Sequence, residues 1–382
     1  LKEMADRVVM DVGVLKKYPQ AQVRGRRLEF VNGMSANERF GCLNNWRRMG
    51  FDRQDGYREP GVWIATVVNN RADRISRSQV FAGILVADLS VDRHFLIGSN
   101  LDGLQGYIRE CWQPHISALS LWPAVADAEP ALQILERQAH WQRIPTQERH
   151  LRERLRALLR GLAITPASAP PVAFWRDADG LRAWLATVGA AEHAEAITSH
   201  LLDEGQCYQD YQALAQRVAA AANPDRTALD GAFREHLWRW FARKLVVIPD
   251  PHASGEQIID RIVQATPPGM LNRIMGIQNI KGPGLSFVYR WQAWESCAAA
   301  GARLNHPDPA VARQGLRELA AVQDFGQLGE QWLRETIATV RHQPIAQTEQ
   351  FQAELLLIES RLDQAMTAIK TNLHGRIDRP GV

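Results

Sequence analysis

The sequence has few cysteines and no long apolar run. Its four cysteines are scattered, and no two of them form a C-x-x-C pair: Cys42, Cys111, Cys207 and Cys297. This spacing argues against a zinc knuckle and against a disulfide framework, and a reducing cytosol is the usual environment of such a chain. No apolar stretch approaches the roughly 18 residues that a membrane-spanning helix needs. We therefore expect a cytoplasmic protein, for which any membrane association would come through a partner.

A strong charge of one sign is also missing. The formal charge is 45 − 42 = +3, which gives no reason to expect nucleic acid as a partner. Hydrophobic residues make up 46% and charged residues 23% of the sequence, values that are ordinary for a globular protein. At 382 residues the chain is long enough for two or three domains.

Several catalytic motifs are absent. The sequence has no G-x-x-x-x-G-K-[ST] phosphate loop and no G-x-S-x-G motif, and its histidines show no H-E-x-x-H spacing. We therefore predict neither a nucleophile elbow nor a metal site. The first residue is Leu1 and no signal peptide follows it, so we expect the chain to be a piece of a longer protein.

Five short apolar segments, rich in β-branched or aromatic residues, predict strands. They lie at 28–32, 61–68, 93–97, 244–248 and 271–277. Helices are predicted at 37–49, 76–88 and 255–265, so strands and helices alternate along the chain. This alternation is typical of a parallel, doubly wound sheet, and the predicted fold class is therefore α/β.

A long helical stretch separates the third and fourth predicted strands. From 113 to 243 the apolar residues recur at helical spacing. The predicted helices are 126–141, 146–163, 177–187, 190–202, 206–222 and 226–243. We interpret 113–243 as an α-helical insertion in one α/β domain formed by 28–112 plus 244–290. Residues 1–27 are predicted as a connector from a preceding domain, and 291–382 as an α-helical C-terminal extension.

Three of the predicted strands break off abruptly into Asn, Gly, Asp and Arg. The segments are Glu29–Glu38, Val68–Arg77 and His94–Asn100. In an open α/β sheet, ligands bind where buried parallel strands end at the carboxyl edge. We therefore expect these three strand ends to lie side by side and to line one crevice.

Two asparagines lie at the turn that ends the first predicted strand: Asn32 is its last residue and Asn37 follows it. An Asn side chain at a strand-to-helix turn offers both a donor and an acceptor, which suits recognition of an adenine edge. Asn also forms such turns for conformational reasons alone, and the residues by themselves favour this second interpretation.

Five polar residues lie within nine positions after the second predicted strand: Asn69, Arg71, Asp73, Arg74 and Arg77. Guanidinium groups beside a carboxylate can hold a phosphate or a carboxylate bidentately, and Asp73 would orient an arginine or bind a ribose hydroxyl. The alternative is a surface ion-pair cluster at a helix N-terminus. The position directly after a buried strand favours binding, with Arg71 and Arg74 as the strongest candidates.

The segment Gly276–Gly284 combines a strand end, a Gly-rich turn and a helix start. It contains Asn279 and Lys281, one of only six lysines in the chain. Such a turn can bind an anion at the helix N-terminus. A tight connection whose glycines supply positive φ angles is an equal alternative.

Together these segments resemble the C-terminal domain of the poly-γ-glutamate synthase ligase subunit, a relative of the Mur ligases. The resemblance rests on Phe30-Val-Asn-Gly-x-x-Ala-Asn37, Asn69-x-Arg-Ala-Asp-Arg74 with Arg77, Leu96-Ile-Gly98, Asp11-x-Gly13 and Gly276-Ile-Gln-Asn-Ile-Lys-Gly282, in the family's order. It covers roughly residues 8–110 and 255–290. It implies a Rossmann-like fold of the Mur-ligase C-terminal type.

The resemblance also implies an ATP-dependent amide ligase that forms γ-glutamyl bonds in poly-γ-glutamate or capsule synthesis. ATP would phosphorylate a γ-carboxylate, and the amine of the next glutamate would attack the acyl phosphate. The phosphate loop and the Mg²⁺ ligands would lie on an N-terminal ATP-binding domain of the same protein. We expect neither a catalytic residue nor a metal ligand in this chain.

The same resemblance assigns the candidate site residues. We expect nucleotide contacts from Asn32, Asn37 and Asn69, and contacts to glutamate or poly-γ-glutamate from Arg71, Asp73, Arg74, Arg77, Asn279 and Lys281. Asn37 aligns with the Asn of the Ala-His-Asn-Pro segment of Mur ligases, although the His and the Pro are missing here.

Two other classes of function stay open. One is a non-catalytic binding or scaffold subunit of a membrane-associated polymer-synthesis complex. The other is a nicotinamide- or flavin-binding Rossmann protein, against which the lack of a G-x-G-x-x-G motif after the first strand argues. The size and aromatic content of the helical parts suggest two further hypotheses, docking of a membrane-embedded partner subunit and contacts within a homo-oligomer.

Overall fold

The apolar, β-branched runs of the sequence form the strands of one sheet. The computed structural model describes residues 13–123, 130–221, 225–322 and 325–377. Its strands are β1 (Lys16–Lys17), β2 (Ala21–Val23), β3 (Arg26–Asn32), β4 (Val62–Asn70), β5 (Arg93–Gly98), β6 (Leu245–Val247) and β7 (Leu271–Ile277). The five predicted strands are confirmed with small shifts of their ends. The predicted connector contributes β1 and β2, and its residues 1–12 lie outside the described residues.

The order of the strands in the sheet is β1-β3-β7-β4-β5-β6, and β2 also pairs with β3. From β3 to β6 all neighbours are parallel, whereas β1 and β2 run antiparallel to β3. The expectation that the ends of β3, β4 and β5 lie side by side is therefore confirmed for β4 and β5 and wrong for β3. β7 lies between β3 and β4, because the chain returns from the far edge of the sheet after β6 and enters between the first two long strands.

Thirteen described helices surround the sheet. They are α1 (Arg39–Arg48), α2 (Ile75–Ala87), α3 (Leu101–Ser117), α4 (Ala131–Trp141), α5 (Glu148–Gly161), α6 (Ala178–Thr187), α7 (Ala194–Ala219), α8 (Arg226–Ala242), α9 (Gly255–Ala265), α10 (Pro283–Leu304), α11 (Pro309–Ala321), α12 (Gly326–Val340) and α13 (Glu349–Ile377). Short 3₁₀ turns lie at Phe174–Arg176, Ala191–His193 and Pro344–Gln347. Within the described residues, no helix combines the length and the apolarity needed to cross a bilayer.

The sheet is covered on both faces, and its strands are accordingly apolar on both sides. In β3, Phe30 belongs to the core that α9 and α10 complete with residues such as Ile258 and Trp291. The next residue, Val31, belongs to the opposite core, which includes side chains from α1, α2, α3, α4 and α8. Burial of each large apolar side chain contributes roughly 1.5–3 kcal/mol to stability.

A third core lies beside the sheet, around Trp63. It holds side chains of α5, α6 and α7, among them Leu155, Leu185 and Leu201. Helix α7 also contributes Leu214 to the core on the sheet face. The helices between β5 and β6 therefore pack partly on the sheet and partly on one another.

The structure corrects several predicted helices. Residues 190–202 and 206–222 were predicted as two helices, but α7 runs without a break through Gly205. A Cβ at Gly205 would lie 2.6 Å from the carbonyl oxygen of Trp175, so this glycine allows close packing and does not end the helix. Helix α3 is not among the predicted helices. It crosses the proposed boundary at 112, just as α10 crosses the one at 290.

Candidate functional site

The carboxyl ends of β3, β7 and β4 lie next to one another and form two topological switch points. After β3 and β4 the chain continues into α1 and α2, whose buried residues Trp46 and Phe81 belong to one face of the sheet. After β7 it continues into α10, whose Phe287 belongs to the other face. Crevices open where neighbouring strands send their connections to opposite faces, and ligands of α/β sheets bind there.

The loop from β7 to α10 is fixed by two asparagines at these strand ends. Asn69 Nδ2 donates to the carbonyl oxygens of Asn279 at 2.8 Å and of Lys281 at 2.7 Å. In return, Asn279 Nδ2 donates to the carbonyl oxygen of Asn69 at 3.0 Å. Asn69 is fully buried and Asn279 is 4% exposed. Asn69 therefore acts on any ligand through the loop that it positions.

Two glycines allow the strand ends and the loop to approach this closely. A Cβ at Gly284 would lie 2.4 Å from Asn69 Nδ2, and a Cβ at Gly98 would lie 2.1 Å from the carbonyl oxygen of Asn70. Gly98 also has a φ of +94°, a conformation that favours glycine. Gly98 and Gly284 therefore allow the close packing of the site, whereas Gly282 supplies a positive φ of +63°, and a Cβ there would meet nothing within 4 Å.

A second network of amide hydrogen bonds lies behind the loop, and it was not predicted from the sequence. Asn70 Oδ1 accepts from Gln278 Nε2 at 2.8 Å and from Ser78 Oγ at 2.6 Å. Asn70 Nδ2 donates to the carbonyl oxygens of Ser99 and Asn100. This one side chain thus links β4, β5, β7 and α2. The paired Asn69–Asn70 at a strand end was the signal that could have indicated it.

Gln278 has an unusual conformation in this network. Its φ is +82°, which is uncommon for a residue with a side chain. Its Oε1, like Asn69 Oδ1, is buried and has no hydrogen-bond partner among the described residues. Strained backbone and unsatisfied buried polar atoms cluster at functional sites, and both occur here at the carboxyl ends of β4 and β7.

The arginines after β4 form a cluster that the loop anchors. Arg77 Nη1 donates to Asn279 Oδ1 at 2.5 Å. Arg71 binds Asp73 bidentately, with Nε–Oδ1 and Nη2–Oδ2 distances of 2.9 and 2.6 Å. The Arg74 Nε lies 3.7 Å from Asp73 Oδ2. The structure therefore brings together the predicted substrate residues Arg71, Asp73, Arg74, Arg77 and Asn279.

This cluster carries a surplus of positive charge. Arg71 and Arg74 share Asp73 as their carboxylate partner among the described residues, and Arg77 donates to an amide oxygen instead. Partial burial lowers the pKa of Arg77, and the charges of Arg74 and Arg71 lower it further. Mutual repulsion of this kind is relieved by a bound anion.

Lys281 adds a cation to the same edge of the sheet. Its side chain is exposed, and its carbonyl oxygen is held at the end of β4 by Asn69. Two residues later Pro283 begins α10, a helix of 22 residues, whose N-terminus carries a partial positive charge. Among the described residues, Lys281 has no carboxylate within ion-pair distance.

The two asparagines at the end of β3 and in the turn after it differ in their exposure to solvent. Asn32 is 2% exposed, and its Oδ1 accepts from the Met34 N–H at 3.3 Å. Asn37 is exposed, and two residues later Arg39 forms a bidentate pair with Asp88. Since Asp88 follows the last residue of α2, a helix of 13 residues or about 20 Å, this segment leads away from the arginines at the start of α2.

Among the described residues, no group of three or more His, Cys, Asp and Glu side chains is placed to hold a metal ion. The donors at this site are guanidinium, ammonium and amide groups, which suit carboxylates and phosphates. The arrangement can therefore hold an anion by charge-assisted hydrogen bonds.

Comparison with known proteins agrees with the resemblance seen in the sequence. Residues 17–153 match the family model of the poly-gamma-glutamate synthase CapB C-terminal domain. No curated protein matches the chain, and no solved structure does. The resemblance is thus confirmed over β3, β4, β5 and their helices, and it links this stretch to poly-γ-glutamate synthesis.

The matched residues differ from the predicted extent of the resemblance. The match continues to 153, within α5, and so includes part of the stretch interpreted as an insertion. It does not reach Gly276–Gly282. The resemblance of that segment to the family stays a prediction, although its side chains meet those of the matched stretch at Asn69 and Arg77.

Proposed function

We propose that this chain is the C-terminal part of an ATP-dependent acid–amino acid ligase that forms γ-glutamyl bonds. The observation that carries the proposal is the cationic cluster of Arg71, Arg74, Arg77 and Lys281 at the ends of β4 and β7, held by the Asn69–Asn279 contacts. The family match over residues 17–153 supports it. We further propose that the sheet is Rossmann-like, of the Mur-ligase C-terminal type.

The proposed role of 113–243 as an insertion is supported by the topology. β5 ends at Gly98 and β6 begins at Leu245, yet the two strands are parallel neighbours in one sheet. A connection of this length carries six helices between adjacent strands. The family match ends at 153, so the part of the stretch beyond that residue is the part for which the proposal is strongest.

The substrate proposal follows from charge. Glutamate and γ-linked polyglutamate present carboxylates, and a guanidinium binds a carboxylate through two parallel N–H bonds. Asp73 forms such a bidentate pair with Arg71, and the Asp73 side chain is 58% exposed. A substrate carboxylate can therefore replace Asp73 on Arg71 while the Asp73 side chain turns to solvent. We propose that Arg71 and Arg74 bind the substrate, and that Arg77 orients Asn279.

In the proposed reaction ATP phosphorylates the γ-carboxylate of one glutamate. ADP is the leaving group of this phosphorylation. The amine of the next glutamate then attacks the acyl carbon, the C–N bond forms, the nitrogen releases a proton to water, and inorganic phosphate leaves with the electron pair of the C–O bond. The groups of this chain would hold the carboxylates and orient the amine. Cations held beside the reacting groups stabilise the negative charge that develops in such a transfer.

We propose that the phosphate loop and the Mg²⁺ ligands belong to an ATP-binding domain of the same protein, and that its closure on this chain completes the site. Mg²⁺ would neutralise the phosphates. The adenine would lie at the β3–β7 crevice near Asn32. Asn37 would contact it only if residues 33–38 turn back toward that crevice on closure. Asn69 would position the loop between them.

A non-catalytic binding or scaffold subunit is the second candidate. One observation favours it: Asp73 is the carboxylate of the cationic cluster in the described structure, and Arg71 binds both of its oxygens. A free general base within that cluster is therefore absent from the residues that the structure describes. This candidate would retain anion binding without bond formation.

The test is an assay of γ-glutamyl bond formation with ATP consumption, on the protein expressed from its whole reading frame. We expect Arg71→Ala to raise the KM for glutamate by about tenfold, since a charge-assisted hydrogen bond contributes about 1.5–3 kcal/mol. Arg58→Ala is the matched control, because Arg58 is 88% exposed and lies outside the cluster. Absence of bond formation together with intact anion binding would favour the scaffold candidate.

A further inference from the structure

A second charged cavity lies at the amino end of the sheet, opposite the site described above. Its volume is about 430 Å³, and its polar lining comes from Arg93, Ser199, His200, Asp203, Arg243, Gln264 and Thr266. Arg93 is the first residue of β5, and Arg243 lies just before β6. Since β5 has six residues, the two sites are separated by the strand length of about 20 Å.

The charged groups around this cavity do not balance. The ion-pair network beside the cavity includes the cations Arg93, Arg143, Arg154, Arg243 and Lys244 and the carboxylates Asp92, Asp203 and Glu204. Arg26 is a further buried cation, and its Nε donates to the carbonyl oxygen of Thr266 in the cavity wall. Each carboxylate has one close guanidinium: Asp92–Arg143 at 2.9 Å, Glu204–Arg154 at 3.4 Å and Asp203–Arg243 at 2.8 Å. Within this ion-pair network, Arg93 and Lys244 are the surplus cations, because neither has a close carboxylate of its own.

The surplus is buried, which makes it costly. The side chain of Arg93 is 16% exposed and lies over the Trp63 ring at 5.4 Å. Lys244 is 3% exposed, and burial lowers its pKa well below the ordinary value. Lys244 can lose its proton, but an arginine cannot. A buried charge is retained when a counter-charge compensates it.

Polar atoms at the cavity also lack partners. Arg243 Nε and His200 Nε2 are buried without a hydrogen bond among the described residues. The side chain of His200 is 7% exposed, and the nearest Glu204 oxygen lies 3.5 Å away without forming a hydrogen bond. Burial lowers the pKa of His200 to about 4, so at neutral pH the ring is uncharged and can donate or accept a hydrogen bond.

We propose that this cavity binds a small organic anion through a carboxylate or phosphate group held between Arg93 and Arg243. Asp203 occupies part of that position: its Oδ2 lies 2.8 Å from Arg243 Nη1 and 3.8 Å from Arg93 Nη2. The Asp203 side chain is 47% exposed, so it can turn to solvent when the ligand enters. Asp203 is thus an internal competitor, and His200 supplies a neutral hydrogen bond to the ligand.

Because Asp203 competes with the ligand, removal of its charge should strengthen the binding of anions in this cavity. Calorimetric titrations use inorganic phosphate and glutarate as separate probes, at constant ionic strength set with sodium chloride. We expect saturable binding of at least one probe, and Asp203→Asn should tighten it by about fivefold, the size of an ion pair's contribution. Arg243→Gln should weaken it by more than tenfold. The preferred probe identifies the ligand as a phosphoryl or a carboxylate compound.

Two controls separate this site from the first one. Asp179→Asn removes a carboxylate that is 98% exposed and paired with Arg182, and it should leave the affinity unchanged. The titrations are repeated in an Arg71→Ala background, so that anions bound at the first cluster do not contribute. If Arg243→Gln does not fold, Arg93→Gln and Asp203→Asn still decide the matter. Unchanged or weaker binding in Asp203→Asn, or no saturable binding of either probe, would overturn the proposal.

Discussion

Asn69 and Asn279 bind each other through side chain and main chain. Asn69 Nδ2 donates to the Asn279 carbonyl oxygen at 2.8 Å, and Asn279 Nδ2 donates to the Asn69 carbonyl oxygen at 3.0 Å. The end of β4 and the loop after β7 are therefore one unit. Arg77, which donates to Asn279 Oδ1, joins the cationic cluster to that unit.

Asn69→Ala should destabilise the protein by about 2–3 kcal/mol. The substitution leaves the buried carbonyl oxygen of Asn279 and the partly buried one of Lys281 without their donor. Loss of the donor to a buried acceptor costs about 1–3 kcal/mol. Urea unfolding measures the change in the free energy of unfolding. The exposed Asn37→Ala is the control and should change it by less than about 0.5 kcal/mol. Equal effects of the two substitutions would contradict the positioning role of Asn69.

Gly284→Ala should disturb the same unit from the side of α10. Its Cβ would lie 2.4 Å from Asn69 Nδ2 and 2.9 Å from the Asn279 carbonyl oxygen, so these groups must move. We expect lower stability and weaker anion binding. Gly106→Ala in α3 is the matched control. Its Cβ would meet nothing within 4 Å, so it should stabilise the helix by about 0.5–1 kcal/mol. A stabilising Gly284→Ala would show that the loop is not tightly packed.

Acid should destabilise the fold through two buried histidines. Burial lowers the pKa of His94 to about 3 and that of His200 to about 4. The folded protein therefore does not take up these protons as the pH falls below about 6.5, whereas the unfolded chain does. Stability should fall by about 1.4 kcal/mol per pH unit for each histidine between about pH 6 and pH 4.

Urea unfolding at a series of pH values measures this dependence. His94→Gln should remove the contribution of His94 to the pH dependence of the free energy of unfolding, even if the substitution lowers stability at pH 7. The exposed His252→Gln should leave the slope unchanged. A free energy of unfolding that stays constant from pH 6.5 to 4 would show that the two rings are accessible to protons in the folded state.

The cysteines should differ sharply in reactivity. Burial raises the pKa of Cys42 and Cys297 to about 12 and that of Cys207 to about 11, whereas Cys111 is partly exposed. A thiol reagent at pH 8 should modify Cys111 first, because the thiolate is the reactive form and needs access. The other three should react only when denaturant is added. Cys111→Ser should abolish the early phase, and its persistence would contradict the burial pattern.

The local elements could be predicted from the sequence, but the order of the strands could not. Runs such as 271–277 are apolar and bounded by turn residues, so their type is encoded locally. Where β7 lies in the sheet depends on a crossover from the far edge, which leaves no local pattern. For this reason the meeting of Asn279 with Asn69, 210 positions apart in the chain, was outside the reach of sequence reasoning.

Within the site, charged residues were easier to predict than amides. The charged residues from Arg71 to Arg77 are recognisable because they directly follow an apolar strand. In the structure their side chains lie together. Gln278 and Asn70 are joined by a buried hydrogen bond. An Asn or a Gln in a sequence does not by itself indicate such a bond. The amino-end cavity was missed because Arg93 and Arg243 come together only through the pairing of β5 with β6.

The most direct test of the account is the binding of γ-linked oligoglutamate to this chain, measured by calorimetry with Arg71→Ala/Arg74→Ala beside Arg58→Ala. We predict saturable binding that weakens with salt, because exposed cations bind the oligomer. The double variant should weaken it by about tenfold or more, and the control variant should not change it. Equal binding by all three proteins would show that the cationic cluster at the ends of β4 and β7 is not the substrate site.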